Sequence, residues 1–268
     1  MAIESEYGCI THSAPVCPVG NPIAYGTAGD SADAVRLASH GPGPKVRSEG
    51  RTTPTMLKPV VAIYDHAMRG MEDAGLGAWR RDLLAPLEGS VLEIGAGTGS
   101  NLPFYPPAVS SLVLSEPDRH MRARLLAATA VSDRPVEVIS APAEHLPFPD
   151  DSFDAVISAL VLCSVRDQAI VLEVIKRVLR PNGRFVFIEH VAATGSPRRL
   201  RQQRWIEPVW KRLAGNCHLT RSTEGAIETA GFVFESIERQ GLPKAPPMVR
   251  PSIRGRARVA ENRSRTDT

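Results

Sequence analysis

With 268 residues, 43% of them apolar and 23% charged, the chain has the makings of one large or two small globular domains with a substantial core. A formal net charge of +3 argues for neither nucleic acid nor a membrane as a bulk partner. No apolar run approaches the roughly 20 residues that span a bilayer, and the first thirty residues lack a secretory pattern, so a cytoplasmic location is expected.

Residues 1–53 are rich in Gly, Pro, Ser, Thr and Ala without a sustained period, and Gly41-Pro42-Gly43-Pro44 breaks any element beside it, so a flexible extension is expected. Cys9 and Cys17 are too far apart for a Cys-x-x-Cys knuckle, and Cys163 and Cys217 are scattered. The four cysteines read as reduced thiols, and no metal is expected. From Met56 onward Val60, Val61, Ile63, Tyr64, Ala67, Met68 and Met71 recur at helical spacing, which predicts a helix ending near Gly75 or Gly77. Asp65 and His66 on it are candidates to face a substrate. A second short helix is expected from Ala78 to about Ala85.

Val91, Leu92 and Ile94 suit a buried parallel strand, and Gly95, Gly97 and Gly99 follow as a turn that permits close backbone approach. Open α/β sheets hold nucleotide-like ligands at such a place, outside the carboxyl ends of the strands. The spacing is Gly-x-Gly-x-Gly, not that of a dinucleotide site, and no Gly-Lys-Ser/Thr is present to grip a triphosphate. Glu93 would repel a pyrophosphate but suits a ligand's ammonium group. These residues resemble the first motif of the class I S-adenosylmethionine (SAM) dependent methyltransferases.

Further along, Leu112-Val-Leu114 predicts the second strand with Glu116 at its tip, near the offset at which an acid accepts ribose hydroxyls. Asp118 is the better helix cap. A helix through Met121, Leu125 and Leu126 leads to a third strand, Val136–Ile139. Ala141 to Asp154 resembles the second characteristic stretch of the family, in which Ala143 and Glu144 would read the adenine amino group beside His145. Phe153 anchors the turn before strand four, Ala155–Val161. Helix Arg166–Leu179 carries a stripe of Ile170, Val171, Val174, Ile175 and Val178. Leu179 to Gly183 ends it, with Gly183 as the expected left-handed residue, and strand five is Arg184–His190.

The resemblance implies an α/β, Rossmann-like class I methyltransferase fold, with a seven-stranded, mostly parallel sheet and helices on both faces. It implies SAM as cofactor and S-adenosylhomocysteine as product. The implied binding residues are Glu93, Gly95, Ala96, Gly97, Gly99, Asn101, Glu116, Pro117, Ala143, Glu144, His145 and Ala159. The methyltransferase domain is expected over 54–260, with an insertion or lid at about 193–219 and a disordered basic tail at 261–268.

In that insertion Arg198, Arg199, Arg201 and Arg204 alternate with Leu200, Trp205, Ile206, Val209 and Trp210. A basic, aromatic amphipathic helix of this kind is a solvated face, a lid or a membrane-surface contact. A helix over Thr220–Ala230 is capped by Gly231, a sixth strand is expected over Phe232–Gln240, and Val249–Ala260 supplies the last, antiparallel strand. Arg258, Arg263 and Arg265 are assigned to the tail.

Strand four is not followed by the Asn/Asp-Pro-Pro-Tyr/Phe sequence by which base-flipping amino methyltransferases resemble one another, so nucleic acid is not an expected partner. Leu160-Val-Leu-Cys-Ser-Val165, Phe187-Ile-Glu-His-Val-Ala192 and Asn216-Cys-His-Leu-Thr-Arg221 resemble the thiol S-methyltransferase (methyltransferase-like 7) branch. Its members methylate alkyl thiols and hydrogen sulfide, and Trp205 to Trp210 matches its tryptophan-bearing insertion. Two departures stand out: a polar extension replaces the membrane-anchoring helix of animal members, and His218 stands where a small polar amide is expected. The resemblance implies S-methylation of a small hydrophobic thiol, in detoxification or natural-product tailoring. Cys163, Leu160, Trp205 and Trp210 would line the pocket, and His190 and His218 are the candidate bases. The alternatives are C- or O-methylation of a quinone or phenol, and a non-catalytic SAM- or RNA-binding protein using the arginines at 198–204 and 250–265. No transmembrane segment is expected, peripheral membrane contact stays open, and the oligomer is unassigned.

Overall fold

The computed structural model describes residues 58–132 and 134–260; the predicted 1–53 extension with Cys9 and Cys17, the start of the first helix at Met56, and the 261–268 tail lie outside the described residues. Helices α1 (Lys58–Met71) and α2 (Gly77–Leu84) are joined by one wide turn over Glu72–Leu76, where Gly75 takes φ 129°. There follow β1 (Gly89–Ile94), β2 (Val109–Ser115), α3 (Arg119–Thr129), β3 (Val136–Ile139), β4 (Phe153–Ala159), α4 (Gln168–Val178) and β5 (Leu179–His190). The chain continues through α5 (Pro197–Leu213), α6 (Thr223–Thr229), β6 (Phe232–Gly241) and β7 (Pro251–Val259).

The strands form one sheet in the order β3-β2-β1-β4-β5-β7-β6. Strands β1 to β5 pair in parallel, and β7 runs antiparallel to both of its neighbours, β5 and β6. This is the α/β, Rossmann-like arrangement expected from the sequence. Successive strand residues face opposite sides, which separates two cores. Leu92, Ile94, Val156, Phe185 and Phe187 pack on the side covered by α4 and α6. Val91, Leu112, Leu114, Ile157 and Val186 pack with Met68 of α1, Leu83 and Leu84 of α2, and Leu125 of α3. Burial on both faces explains why the strands read as near-continuous apolar runs. Asp118 caps α3 by accepting from the backbone N–H groups of His120 and Met121, and Asp167 caps α4 in the same way.

The register brings the functional ends together. Ile94 sits opposite both Ser115 of β2 and Ser158 of β4, and Ala159 sits opposite Ile188 of β5. The glycine loop, Glu116, the 160–165 segment and His190 therefore emerge along one edge of the sheet.

Several expectations are corrected. Strand β5 begins at Leu179, not Arg184, and the left-handed residue in its first part is Asn182 (φ 66°) and not Gly183. Gly183 is needed for space, because a Cβ there would stand 2.9 Å from the Arg180 carbonyl oxygen. Strand four stops at Ala159, where Leu160 turns the chain with φ 63°. Ile170 is 47% exposed and lies at the border of the α4 stripe, not in its centre. Arg258 belongs to β7, opposite Arg184 and Val233, and not to the tail. No helix of the described residues is long and apolar enough to cross a membrane.

Candidate cofactor and acceptor site

The glycine loop has one face turned into the protein and one turned out. Gly95 has φ 56°, and a Cβ there would stand 2.7 Å from a methyl of Val161. Gly97 has φ 60°, but nothing lies within 4 Å of where its Cβ would be. The loop thus presents bare backbone to open space at Gly97, where a ligand can approach closely. Thr98 donates to Asp65 of α1 at 2.9 Å, and Asp65 also pairs with Arg124 of α3, so α1 is tied to the loop. His66 is exposed.

Beneath the loop runs a buried polar chain. Tyr105 donates to Glu93 Oε2 at 2.5 Å and Asn101 Nδ2 donates to Oε1 at 2.8 Å. Arg80 in turn donates to Asn101 Oδ1 at 2.7 Å and to Glu72 at 2.9 Å. Glu93 is 3% exposed, and burial pushes its carboxyl above the usual carboxylate range, against the pull of Tyr105, Arg80 and Asn101. The sequence suggested a carboxylate facing a ligand's ammonium group. In the structure both oxygens face internal donors, because Glu93 shares the sheet face of Val91 and lies within the second core, where donors must come from the protein.

Glu116 is bonded to the same loop. Its Oε2 accepts from the Gly97 N–H at 2.7 Å and its Oε1 from the Asp118 N–H at 2.8 Å. Burial pushes its carboxyl up to about 7, opposed by those two backbone donors. Arg122 donates to the carbonyls of Glu116 and Pro117 and fixes the turn. Ala143 is buried, Glu144 accepts from the Arg166 N–H at 2.8 Å, and His145 is exposed. This set offers free space over Gly97 and, at Glu116, carboxylate lone pairs able to accept from hydroxyls.

The segment after β4 is built on Glu189, which no single-residue signal picked out. Its Oε1 accepts from Ser158 Oγ at 2.6 Å, Val161 N at 3.1 Å and Leu162 N at 3.0 Å, so β5 shapes the segment that follows β4. A second segment is laced to the first. His218 N donates to Cys163 O at 2.8 Å, Asn216 Nδ2 to Ser164 O at 2.8 Å, and Arg221 to the carbonyls of Leu162 and Val165. These bonds bring Cys163, His190 and Cys217 together, all buried, with donor atoms within 4.8 Å of one another. Both cysteines are free thiols. His190 Nε2 lies 2.8 Å from Cys217 Sγ, whereas its Nδ1 has no partner. The Cys163 S–H and His190 hold the Cys217 thiol well below its ordinary range, and Cys163 is correspondingly raised.

The remaining predicted residues divide. Leu160 packs against the second core, and Trp210 presents its buried indole N–H toward Cys217. Trp205 is 82% exposed. The residue of α5 that turns inward is Gln203, fully buried, which accepts from Ala193 N at 2.8 Å and donates to Met248 O at 2.8 Å. The His218 ring faces Glu207 at 3.6 Å, and burial with nearby Arg221 and Lys211 lowers its pKa.

Residues 92–187 match the family described as the methyltransferase domain. Human thiol S-methyltransferase TMT1A is 37% identical over 172 residues, which cover 63% of this chain and 70% of that protein. Human thiol S-methyltransferase TMT1B is 35% identical over 190 residues, covering 66% and 77%. A solved SAM-dependent methyltransferase from Thermotoga maritima shares the fold, with a TM-score of 0.55 at 21% identity over 75% of this chain and 96% of that one.

Proposed function

The chain belongs to the thiol S-methyltransferase family of SAM-dependent methyltransferases, and from that premise we propose that its methyl acceptor is a small hydrophobic thiol. The observation that carries this reading is the buried Cys163–His190–Cys217 cluster on the glycine-loop side of the sheet, with the Trp210 indole against Cys217. SAM, when bound, supplies a methyl group on a sulfonium, and its transfer needs an in-line nucleophile about 3 Å away in a dry site.

In this reading Gly95, Ala96, Gly97 and Gly99 receive the cofactor's backbone, and Glu116 with Pro117 receives the ribose. Ala143, Glu144 and His145 border the adenine, and Ala159 faces the transferring centre. Glu93 and Asn101 act from below as positioning residues, since their polar atoms are held by Tyr105 and Arg80. A free thiol with a pKa near 8.5 already offers a few per cent thiolate at pH 7. The cluster need only draw off the acceptor's proton and hold its sulfur, and His190 with its two cysteines is placed for that. His218 is given no part in it.

The RNA-binding alternative loses part of its surface. Arg254 pairs with Glu238 and stacks over Trp79, and Arg256 donates to the carbonyls of Asp82 and Leu83. The exposed stripe of Trp205, Val209 and Leu213 at successive turns of α5, beside exposed Arg201, Arg204 and Arg212, supports peripheral contact with an anionic membrane surface. The acceptor class is tested by conversion of SAM to S-adenosylhomocysteine over a panel of alkyl thiols, aryl thiols, phenols, quinones and RNA. Turnover restricted to thiols is expected; turnover restricted to phenols or quinones would remove the thiol assignment and leave the cofactor half standing.

A further inference from the structure

Two cysteines 54 positions apart and the last residue of β5 converge beside the buried Glu189 and the Arg221 guanidinium. Cys163 and Cys217 sit on separate segments, yet their backbones are fastened by the His218–Cys163, Asn216–Ser164 and Arg221 hydrogen bonds. His190 is held by the strand itself. The three side chains are 2%, 3% and 8% exposed for Cys163, His190 and Cys217. A buried thiol has no need of a second thiol and an imidazole for packing, and three soft donors aimed at one point form the ligand set that thiophilic metals select.

We propose that Cys163, His190 and Cys217 form a three-ligand site for a thiophilic divalent cation such as zinc, with its fourth position open to the acceptor thiolate. Tetrahedral zinc with bonds of about 2.3 Å to sulfur and about 2.05 Å to nitrogen sets sulfur–sulfur separations of about 3.8 Å and sulfur–nitrogen separations of about 3.6 Å. The observed donor atoms already lie within 4.8 Å of one another, so the hydrogen-bonded His190–Cys217 pair at 2.8 Å opens by less than an ångström. Ligation goes through His190 Nε2, the nitrogen that faces Cys217. Two protein thiolates and a neutral imidazole balance the dication, and three protein ligands leave one position for exogenous sulfur.

The metal site rests on this geometry alone; the role of its open position rests on the thiol reading above. In that role the acceptor R–SH loses its proton to solvent as its sulfur binds the metal. A sulfur lone pair then attacks the SAM methyl, forming the S–CH3 bond. The sulfonium C–S bond breaks with its electron pair going to S-adenosylhomocysteine, and the thioether departs. His190 is then a ligand, and the metal supplies the acidity.

The test uses the full chain with Cys9→Ser and Cys17→Ser, leaving Cys163 and Cys217 as its only sulfhydryls. After chelation under reducing conditions, cobalt(II) is titrated in and followed by absorption. One equivalent should give tetrahedral visible bands and a thiolate-to-cobalt charge-transfer band that zinc displaces. Cys163→Ser or Cys217→Ser, checked for folding by circular dichroism, should each halve that band, and His190→Gln should weaken binding at least tenfold. In the unsubstituted chain zinc should protect two thiols from alkylation, a readout that requires no cluster variant. No charge-transfer band in folded protein, or a Cys163–Cys217 disulfide that forms equally with and without zinc, would overturn the site. Added ethanethiol should intensify the band. Cobalt bands that ignore ethanethiol, together with turnover only on phenols, would keep the metal and reject the open-position role and the thiol reading.

Discussion

Nucleoside affinity should rise between pH 6 and pH 8, because the carboxyl of Glu116 titrates in that interval. Burial to 5% exposure pushes it from 4.5 to about 7, against the two backbone N–H groups it accepts from. That shift places a penalty of about 3 kcal/mol on the charged form. With a midpoint near 7, the ionised fraction is about one-tenth at pH 6 and about nine-tenths at pH 8. If only the carboxylate accepts both ribose hydroxyls, the dissociation constant falls about tenfold over the interval. Ligand-free stability moves the other way. A raised carboxyl pKa means the folded state holds the proton more tightly, so this group's contribution is present below pH 4.5 and is lost as pH rises through 7. Calorimetric titration with 5′-methylthioadenosine, which carries no amino acid moiety to titrate, isolates the ribose contact. Glu116→Gln should abolish the pH dependence and weaken binding at pH 8 by more than tenfold, as expected for the loss of charge-assisted hydrogen bonds worth about 1.5–3 kcal/mol each. A flat profile in the parent protein, or an equal slope in Glu116→Gln, would refute the reasoning.

Tyr105→Phe removes the hydroxyl that donates to the buried Glu93 and should cost about 1–3 kcal/mol in urea unfolding; a loss under about 0.3 kcal/mol would show that Glu93 does not depend on it. Gln203→Ala frees α5 from Ala193 and Met248 and should speed amide hydrogen exchange across 197–213 while leaving β1 protected; unchanged exchange in α5 would contradict its role as the helix's anchor. Trp205→Ser should leave stability within about 0.5 kcal/mol and small-thiol turnover unchanged, yet lower partitioning onto anionic vesicles; equal partitioning would discard the membrane-facing stripe.

The sheet was legible because strands buried on both faces are mostly apolar, and Leu112–Leu114 and, apart from Glu93, Val91–Ile94 obey that constraint. Asp118 was readable as a cap because capping is a local bond, formed within three residues. What escaped was set by distant partners. The environment of Glu93 depends on Arg80 and Tyr105, which no spacing rule joins to it. On α5, the sequence reading put Trp205 at the pocket and did not single out Gln203. Gln203 turns inward because the chain leaving β5 carries backbone groups at Val191 and Ala193 that need polar partners, which an indole cannot supply in both senses. Cysteine spacing likewise missed the meeting of Cys163 and Cys217, whose approach is made by Arg221, Asn216 and the bend imposed by Glu189. The sequence motif holding Cys217 and His218 drew attention to the histidine, whereas the thiol one residue earlier meets His190.

The most direct measurement is kcat/KM for an alkyl thiol in the parent chain and in His190→Gln, with SAM affinity measured on both by calorimetry. Deprotonation and positioning of the acceptor by the cluster predict a fall of about a hundredfold or more in kcat/KM, with SAM affinity unchanged. An unchanged kcat/KM in a folded His190→Gln protein would contradict the claim that the acceptor reacts at this cluster.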